Sequence, residues 1–251
     1  MSTVHTTSPD SFQPVGLIGG IGLTEVHVYA QRPGPDGQFG GCPHIHAVVD
    51  EAYYVLRGTG HVEFHDAVQG FRTMRLTAGT YAHFPPRVLH RLVSDGDLVI
   101  LGMMGSAGLA EQGEARIYFG AEVDASPERF DALRSLPQRL GLEGALQRRD
   151  VAVEAYQKLL ALHAADRGAY MAELRRFTEV HCRAMAQIAP ALRARVVDGP
   201  MAWAKLTLER LEQLPGDVVL PSPIMVNEPN ESAFGMCGVL RPMLHLRQLA
   251  K

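Results

Sequence analysis

The sequence predicts a β-barrel or β-sandwich over its first half and a helical region over most of its second, on three observations. Short apolar runs separated by glycine and proline fill the chain up to about residue 120: "GLTEVHVYA", "AYYVLRG", "GHVEFH", "DLVILGMM" and "ARIYFG". Runs of that length between turn signals such as "RPGPDGQFGG" belong to all-β architectures. Within "GHVEFH", Val62 and Phe64 fall on one face and His61, Glu63 and His65 on the other, the period-two pattern of a half-buried strand whose polar face is solvated or meets another element, a reading favoured over a second metal site. Beyond residue 125 the period lengthens, and helical text takes over. The expected division is a flexible N-terminus over 1–14, a β-barrel over 15–120, a helical region over 121–215, and a return segment over 216–251.

The helical region opens on Ser126-Pro127-Glu128, an N-cap, a proline at the first turn and an acid near the positive helix end. "VAVEAYQKLLALHAA", "AYMAELRRFTEVHCRAMAQIA" and "MAWAKLTLERLEQL" follow. In the second of these, Met171, Leu174, Phe177, Met185 and Ile188 share one face, an apolar stripe that must be covered. Its residues are expected to be core, and His163, His181 and Cys182 are expected to be structural. In the return segment, "VLRPMLHLRQL" reads as an edge strand, where proline is tolerated, or as a contact with a second subunit.

Composition narrows the function classes. A net charge of −3 with 46% hydrophobic and 20% charged residues is ordinary for a globular protein. It argues against general attraction to nucleic acid or an anionic membrane. Three widely spaced cysteines imply no disulfide framework, and the expected compartment is the cytoplasm. "MSTVHTTSPDSFQP" lacks the basic start and apolar run of a signal peptide. No apolar stretch reaches the length of a membrane span.

The chemistry-bearing stretch is "GCPHIHAVVDEAYYVLRG", residues 41–58. His44 and His46, two apart, leave the same face of an extended strand. Chance alone supplies roughly half an HxH pair in a chain with this many histidines, so the pair needs support. Glu51 stands at an odd offset from His46 and shares its face only if the chain reverses at Val48-Val49-Asp50, with Glu51 opening the neighbouring strand. Gly58 then ends that strand at a turn needing positive φ. Together these reduce the chance expectation to roughly a few per thousand. A second segment, "GTYAHFPPRVLHRLVSD" (79–95), brings His90 five residues after Pro85, placed to meet the first two imidazoles from an adjacent strand. Three imidazoles and a carboxylate suit a divalent transition metal, with positions left open for substrate.

At these residues the sequence resembles the cupin superfamily. Its first motif, G-x5-HxH-x3,4-E-x6-G, is matched by His44, His46, Glu51 and Gly58, with Gln38 where the leading glycine is usual. Its second, G-x5-PxG-x2-H-x3-N, is matched by Gly79, Pro85 and His90, with Arg87 and Ser94 departing from it. The resemblance spans about residues 15–120. It implies a jelly-roll β-barrel with one divalent metal held by His44, His46, Glu51 and His90. It also implies pairing into homodimers.

Around those four residues the assignments are less specific. Tyr53 shares parity with Glu51 and is a candidate catalytic phenol or barrel filling in equal measure. His83 is a candidate pocket acid or base against the commoner fate of a strand histidine bonded to a carbonyl. Arg72 and Arg91 are expected to face solvent rather than hold an anionic substrate, and Cys42 to be a packed thiol rather than one pointed at the metal. The leading functional expectation is a mononuclear Fe(II)-type oxygenase or dioxygenase acting on a small organic substrate, with Mn, Ni, Co or Zn as alternatives. The others are a non-redox metal-dependent isomerase or lyase, and a non-catalytic sensory module that binds a small ligand.

Overall fold

The structure, a computed structural model, describes residues 14–66, 68–214, 216 and 232–243. All but one residue of the expected N-terminal segment, and most of the return segment, lie outside that range. Among the described residues twelve strands run in order: β1 (Gly22–Val28), β2 (Phe39–Gly40), β3 (His44–His46), β4 (Glu51–Arg57), β5 (Thr59–Asp66), β6 (Gly70–Thr77), β7 (Tyr81–Phe84), β8 (Leu89–Ser94), β9 (Val99–Met104), β10 (Ala115–Ile117), β11 (Ala233–Phe234) and β12 (Gly238–Pro242). They form two antiparallel sheets, one ordered β11-β12-β1-β9-β4-β7, the other β10-β3-β8-β5-β6 with β2 beside β8. Face to face, these make a jelly-roll barrel.

Two tight connections use glycine because the backbone demands it. Gly58 (φ 77°) links β4 to β5, and a Cβ there would collide with the Asp97 carbonyl. Gly79 (φ 85°) links β6 to β7. Arg87 is the one non-glycine residue with positive φ (69°) among the described residues, at the motif position where glycine is usual. Such a conformation costs about 1–3 kcal/mol. The Arg87 N–H donates to the His46 carbonyl at 2.8 Å, tying the β7–β8 turn to β3.

The barrel interior is filled by Val26, Val28, Tyr53, Val55, Val62, Phe64, Phe84, Leu92 and Ile100. The helical region begins with α1 (Ala121–Asp124) and α2 (Pro127–Arg134), followed by α3 (Leu136–Ala165, broken at Gly141), α4 (Arg167–Val196) and α5 (Ala202–Glu212). Ser126 caps α2 by accepting from the Arg129 N–H at 3.3 Å, and Asp166 caps α4 through the Ala169 N–H at 3.0 Å. The apolar stripe finds its cover on the barrel: Tyr156, Leu159, Tyr170, Leu174 and Phe177 pack on Ile45, Leu89 and Tyr118. The second sheet is therefore buried on both faces over β3, β8 and the end of β5, while most of β6 stays at the surface.

That packing decides one expectation and corrects another. His65 and Glu63, expected on a solvated or interface face of β5, are 1% and 5% exposed; the face is an interface, because α3 and α4 cover that side. His65 lies between two phenols, Tyr170 at 2.8 Å from Nδ1 and Tyr156 at 2.6 Å from Nε2. Arg91, expected to face solvent, is also buried; it donates to Asp36 at 2.6 Å and to the Gly41 carbonyl at 3.1 Å, with Glu63 3.7 Å away. Arg72 stays at the surface beside Gln69. After the helices, β12 pairs antiparallel with β1 (Val26 opposite Leu240) and β11 lies outside it, so the expected edge strand is instead an inner one, covered by β11; residues 244–249 of that stretch lie outside the described residues. No helix among the described residues is long and apolar enough to cross a membrane.

Candidate metal centre

Strand parity sends His44 and His46 into the barrel while Ile45, between them, faces the helices. His90 on β8 is the register partner of His44, so two adjacent strands aim three imidazoles at one place. Glu51 comes from elsewhere than expected. It opens β4 in the opposite sheet, not the strand beside β3; the turn at 47–50 carries the chain across the barrel, and Glu51 closes the group from the far wall. The four residues are buried, and one donor atom from each lies within 4.8 Å of every other.

The hydrogen bonds behind the rings define what faces inward. His44 Nδ1 is 3.0 Å from the Cys42 carbonyl, and His90 Nδ1 is 3.0 Å from the Val88 carbonyl. A carbonyl only accepts, so both Nδ1 atoms carry protons and both Nε2 atoms of the neutral rings present lone pairs. These two Nε2 atoms are 3.1 Å apart. Glu51 Oε2, 3.1 Å from His90 Nε2 and 3.3 Å from His46 Nε2, is buried without a hydrogen-bond donor. Acceptors facing acceptors in a dry interior are costly unless a cation lies among them. The donor set fits a divalent metal ion.

Burial, reinforced by His90, holds the His44 ring well below its ordinary value. Burial alone would also lower His46, but the Glu51 and Glu114 carboxylates outweigh it and raise the ring to about 10. Glu51 is held well below the usual carboxylate range, because His46 and His90 outweigh a burial that would raise it. The pocket attracts positive charge.

Glu114 is a partner that the sequence did not disclose. Fully buried just before β10, it accepts from His46 Nδ1 at 2.6 Å through Oε2, and from the Val48 and Val49 N–H groups at 2.6 and 3.0 Å through Oε1. Its own carbonyl accepts from His181 Nε2 on α4 at 2.6 Å. A chain of contacts thus runs from the helical region through Glu114 to His46, the kind of outer support that fixes a ligand's tautomer and orientation. "AEQGEAR" runs from a 3-10 turn at Ala110–Gln112 into β10, and nothing in its sequence distinguishes this glutamate.

Of the other candidates, Tyr53 is 1% exposed, with its ring centroid 6.2 Å from that of His90 and its hydroxyl without a partner. Burial first, then Glu51, pushes the phenol well above its usual value, so it stays protonated. His83 is not brought to the group. Ala82 and Phe84 take the inward positions of β7, and His83 lies outside, half exposed, 3.3 Å from Asp50. The expectation of a pocket acid or base there is corrected by strand parity. The Cys42 thiol packs with Ile117, Phe119 and Ala152. One residue not anticipated, Cys237, lies with its Sγ 3.7 Å from His44 Nε2.

Residues 32–103 match the family model described as "Cupin domain". The barrel is a cupin domain. The matched span holds all four inward-facing donors of the cupin site, whereas the helices, Glu114 and Cys237 lie beyond it. No curated protein matches the sequence. Solved structures similar to the cupin barrel include WlaRA, a TDP-fucose-3,4-ketoisomerase from Campylobacter jejuni, at 11% identity, covering 36% of this chain and 64% of that one, with a TM-score of 0.30. Another is the capsular polysaccharide assembling protein CapF from Staphylococcus aureus, at 15% identity, 39% and 25% coverage, and a TM-score of 0.31. A cupin protein from Bacteroides fragilis aligns at 21% identity, 43% and 88% coverage, and a TM-score of 0.28. The aligned region spans less than two thirds of the first two of these chains.

Proposed function

We propose that His44, His46, Glu51 and His90 hold one divalent metal ion and that the chain is a mononuclear metal-dependent cupin enzyme. We read it as an oxygenase or dioxygenase of the Fe(II) type, acting on a small organic substrate. One observation carries the metal: imidazole lone pairs and an unpartnered Glu51 oxygen converge in a buried barrel. Three nitrogens and a carboxylate suit Fe(II), and also Mn, Ni, Co or Zn, better than Mg or Ca. When bound, Fe(II) supplies open coordination positions and redox chemistry with O2. The chain's own residues do the rest. The Cys42 and Val88 carbonyls and Glu114 orient the rings. Phe64, Phe84 and Leu92 exclude water. Tyr53 keeps a proton on a hydroxyl that no protein group engages.

That hydroxyl favours a second reading, a non-redox isomerase or lyase in which Tyr53 donates a proton to a substrate polarised by the metal. Oxygen uptake separates the two. Protein reconstituted with Fe(II) and screened against small organic acids, phenols and carbonyl compounds is expected to consume O2 with at least one class. Turnover that continues without O2, with Zn or Mn in place of Fe, would move the assignment to the non-redox reading. Tyr54, Leu56 and Tyr81, exposed on β4 and β7, are the surface on which we propose that two copies pair; sedimentation velocity checks the stoichiometry.

A further inference from the structure

A cavity of about 350 Å³ lies between α4 and the segment that follows β3, a volume at the lower end of small-molecule sites. None of His44, His46, Glu51 and His90 lines it. Its floor is apolar: Leu109 and Leu192 are buried, and Met185 and Val196 pack with them. Ala186 and Ala189 on the same wall are too small to fill the space. Two exposed arginines complete the lining, Arg87 from the β7–β8 turn and Arg193 from α4. No carboxylate of the described residues joins them there.

The fold accounts for neither arginine. Arg176 and Arg183 of α4 pair with Asp124 and Glu179, whereas Arg87 and Arg193 pair with no carboxylate among the described residues. A cation in the last turn of a helix often offsets free carbonyls at its end. Here α4 has no free end, because the chain runs on through a π turn (Val197–Met201) into α5. Arg87 holds a positive φ of 69°, which glycine adopts without strain. Glycine would also make the same backbone bond to the His46 carbonyl. What arginine adds is a guanidinium, and only its Nε meets the protein, 3.4 Å from the Ala47 carbonyl. Strain retained for a side chain that the fold does not use is a mark of function.

We propose that this cavity binds an amphipathic carboxylate, with its apolar tail on the Leu109–Leu192 floor and its head between Arg87 and Arg193. Guanidinium groups receive a carboxylate through paired N–H donors, and the apolar floor takes a tail of short to medium length. The site is distinct from the metal centre and stands without a metal ion, yet the two share a turn. Val48 lines the cavity and donates its N–H to Glu114, the carboxylate behind His46.

The test is calorimetric titration of the full chain with octanoate, octanol and acetate, beside the rate at which a thiol reagent modifies Cys182. That cysteine lines the cavity and is half-buried, whereas Cys42 and Cys237 are buried, so its reactivity reports occupancy at this place. Octanoate is expected to bind and, at about ten times its Kd, to slow Cys182 modification about tenfold. Octanol lacks the head and acetate the tail, and each is expected to bind at least about tenfold more weakly. Arg87→Gly, which relieves the backbone, and Arg193→Gln are each expected to weaken octanoate about tenfold or more. Wild type that binds no octanoate would overturn the proposal. So would octanol bound as tightly as octanoate, octanoate binding that leaves Cys182 unprotected, or affinity that survives either substitution undiminished.

Discussion

The second sheet buries histidines on both of its faces, and the two faces treat them differently. On the outer face, His65 has a phenol on each ring nitrogen. On the inner face, His44 and His90 have carbonyls behind them and face each other's lone pairs, with an unpartnered carboxylate oxygen alongside. Both environments are dry. The outer one is satisfied by the protein alone and serves to dock the helices; the inner one presents acceptors that a cation would satisfy. Burial of a histidine therefore says little about function, whereas the partner on each nitrogen says a good deal.

The difference can be broken first on the inner face. His90→Ala removes a donor without touching the helical interface. It should weaken binding of Fe(II) or Co(II) by more than about 100-fold, beyond the effect of losing an outer support, as measured by competition with a chromophoric chelator. The melting temperature of protein stripped of metal should change far less.

The outer face is tested by pH. Burial lowers the His65 ring to about 3 and His181 to about 4, while in the unfolded chain both titrate near 6.5. The folded state resists protons that the unfolded state accepts, so this contribution to stability is complete above about pH 6.5 and is lost as pH falls towards 3. Between pH 6.5 and 4.5 the loss through His65 alone is about 2 kcal/mol. Urea denaturation of wild type should show a steeper acid decline than that of His65→Gln. Equal slopes would place His65 outside this account.

Glu114→Gln sharpens the comparison by testing a connection between the two regions. It keeps the shape of the side chain but removes the charge that orients His46, and metal affinity should fall about 10- to 100-fold by the same competition assay. Tyr156→Phe is expected to have the smallest effect. It removes one hydrogen bond to His65 at a cost of about 1–2 kcal/mol in chemical denaturation, with metal affinity unchanged.

Much of the inner face was legible in the sequence, because its ligands lie on short strands where side-chain direction follows from counting. His44 and His46 share parity, and the separation between Gly79 and His90 spans one strand and one turn. Counting was also sufficient for His83, since Ala82 and Phe84 claim the inward positions of "YAHF", but the histidine drew attention away from its neighbours. The outer face was legible only in part, for a different reason. Alternation shows that His65, Glu63 and Arg91 point away from the barrel, but not that a helical pair from about 90 residues further on will cover them. Which sheet supplies Glu51 depends on the path of the turn at 47–50, which parity cannot specify. Glu114 and Cys237 reach the centre from irregular segments without periodicity, and only the folded arrangement brings them there.

The most direct test of the central claim is elemental analysis of the full chain expressed and purified without chelator, beside His44→Ala and His90→Ala prepared in the same way. The account predicts about one divalent transition-metal ion per wild-type chain and a loss to near background in both variants. Wild-type protein that is metal-free and takes up none of Fe, Mn, Co, Ni or Zn, or variants that keep the full complement, would contradict it.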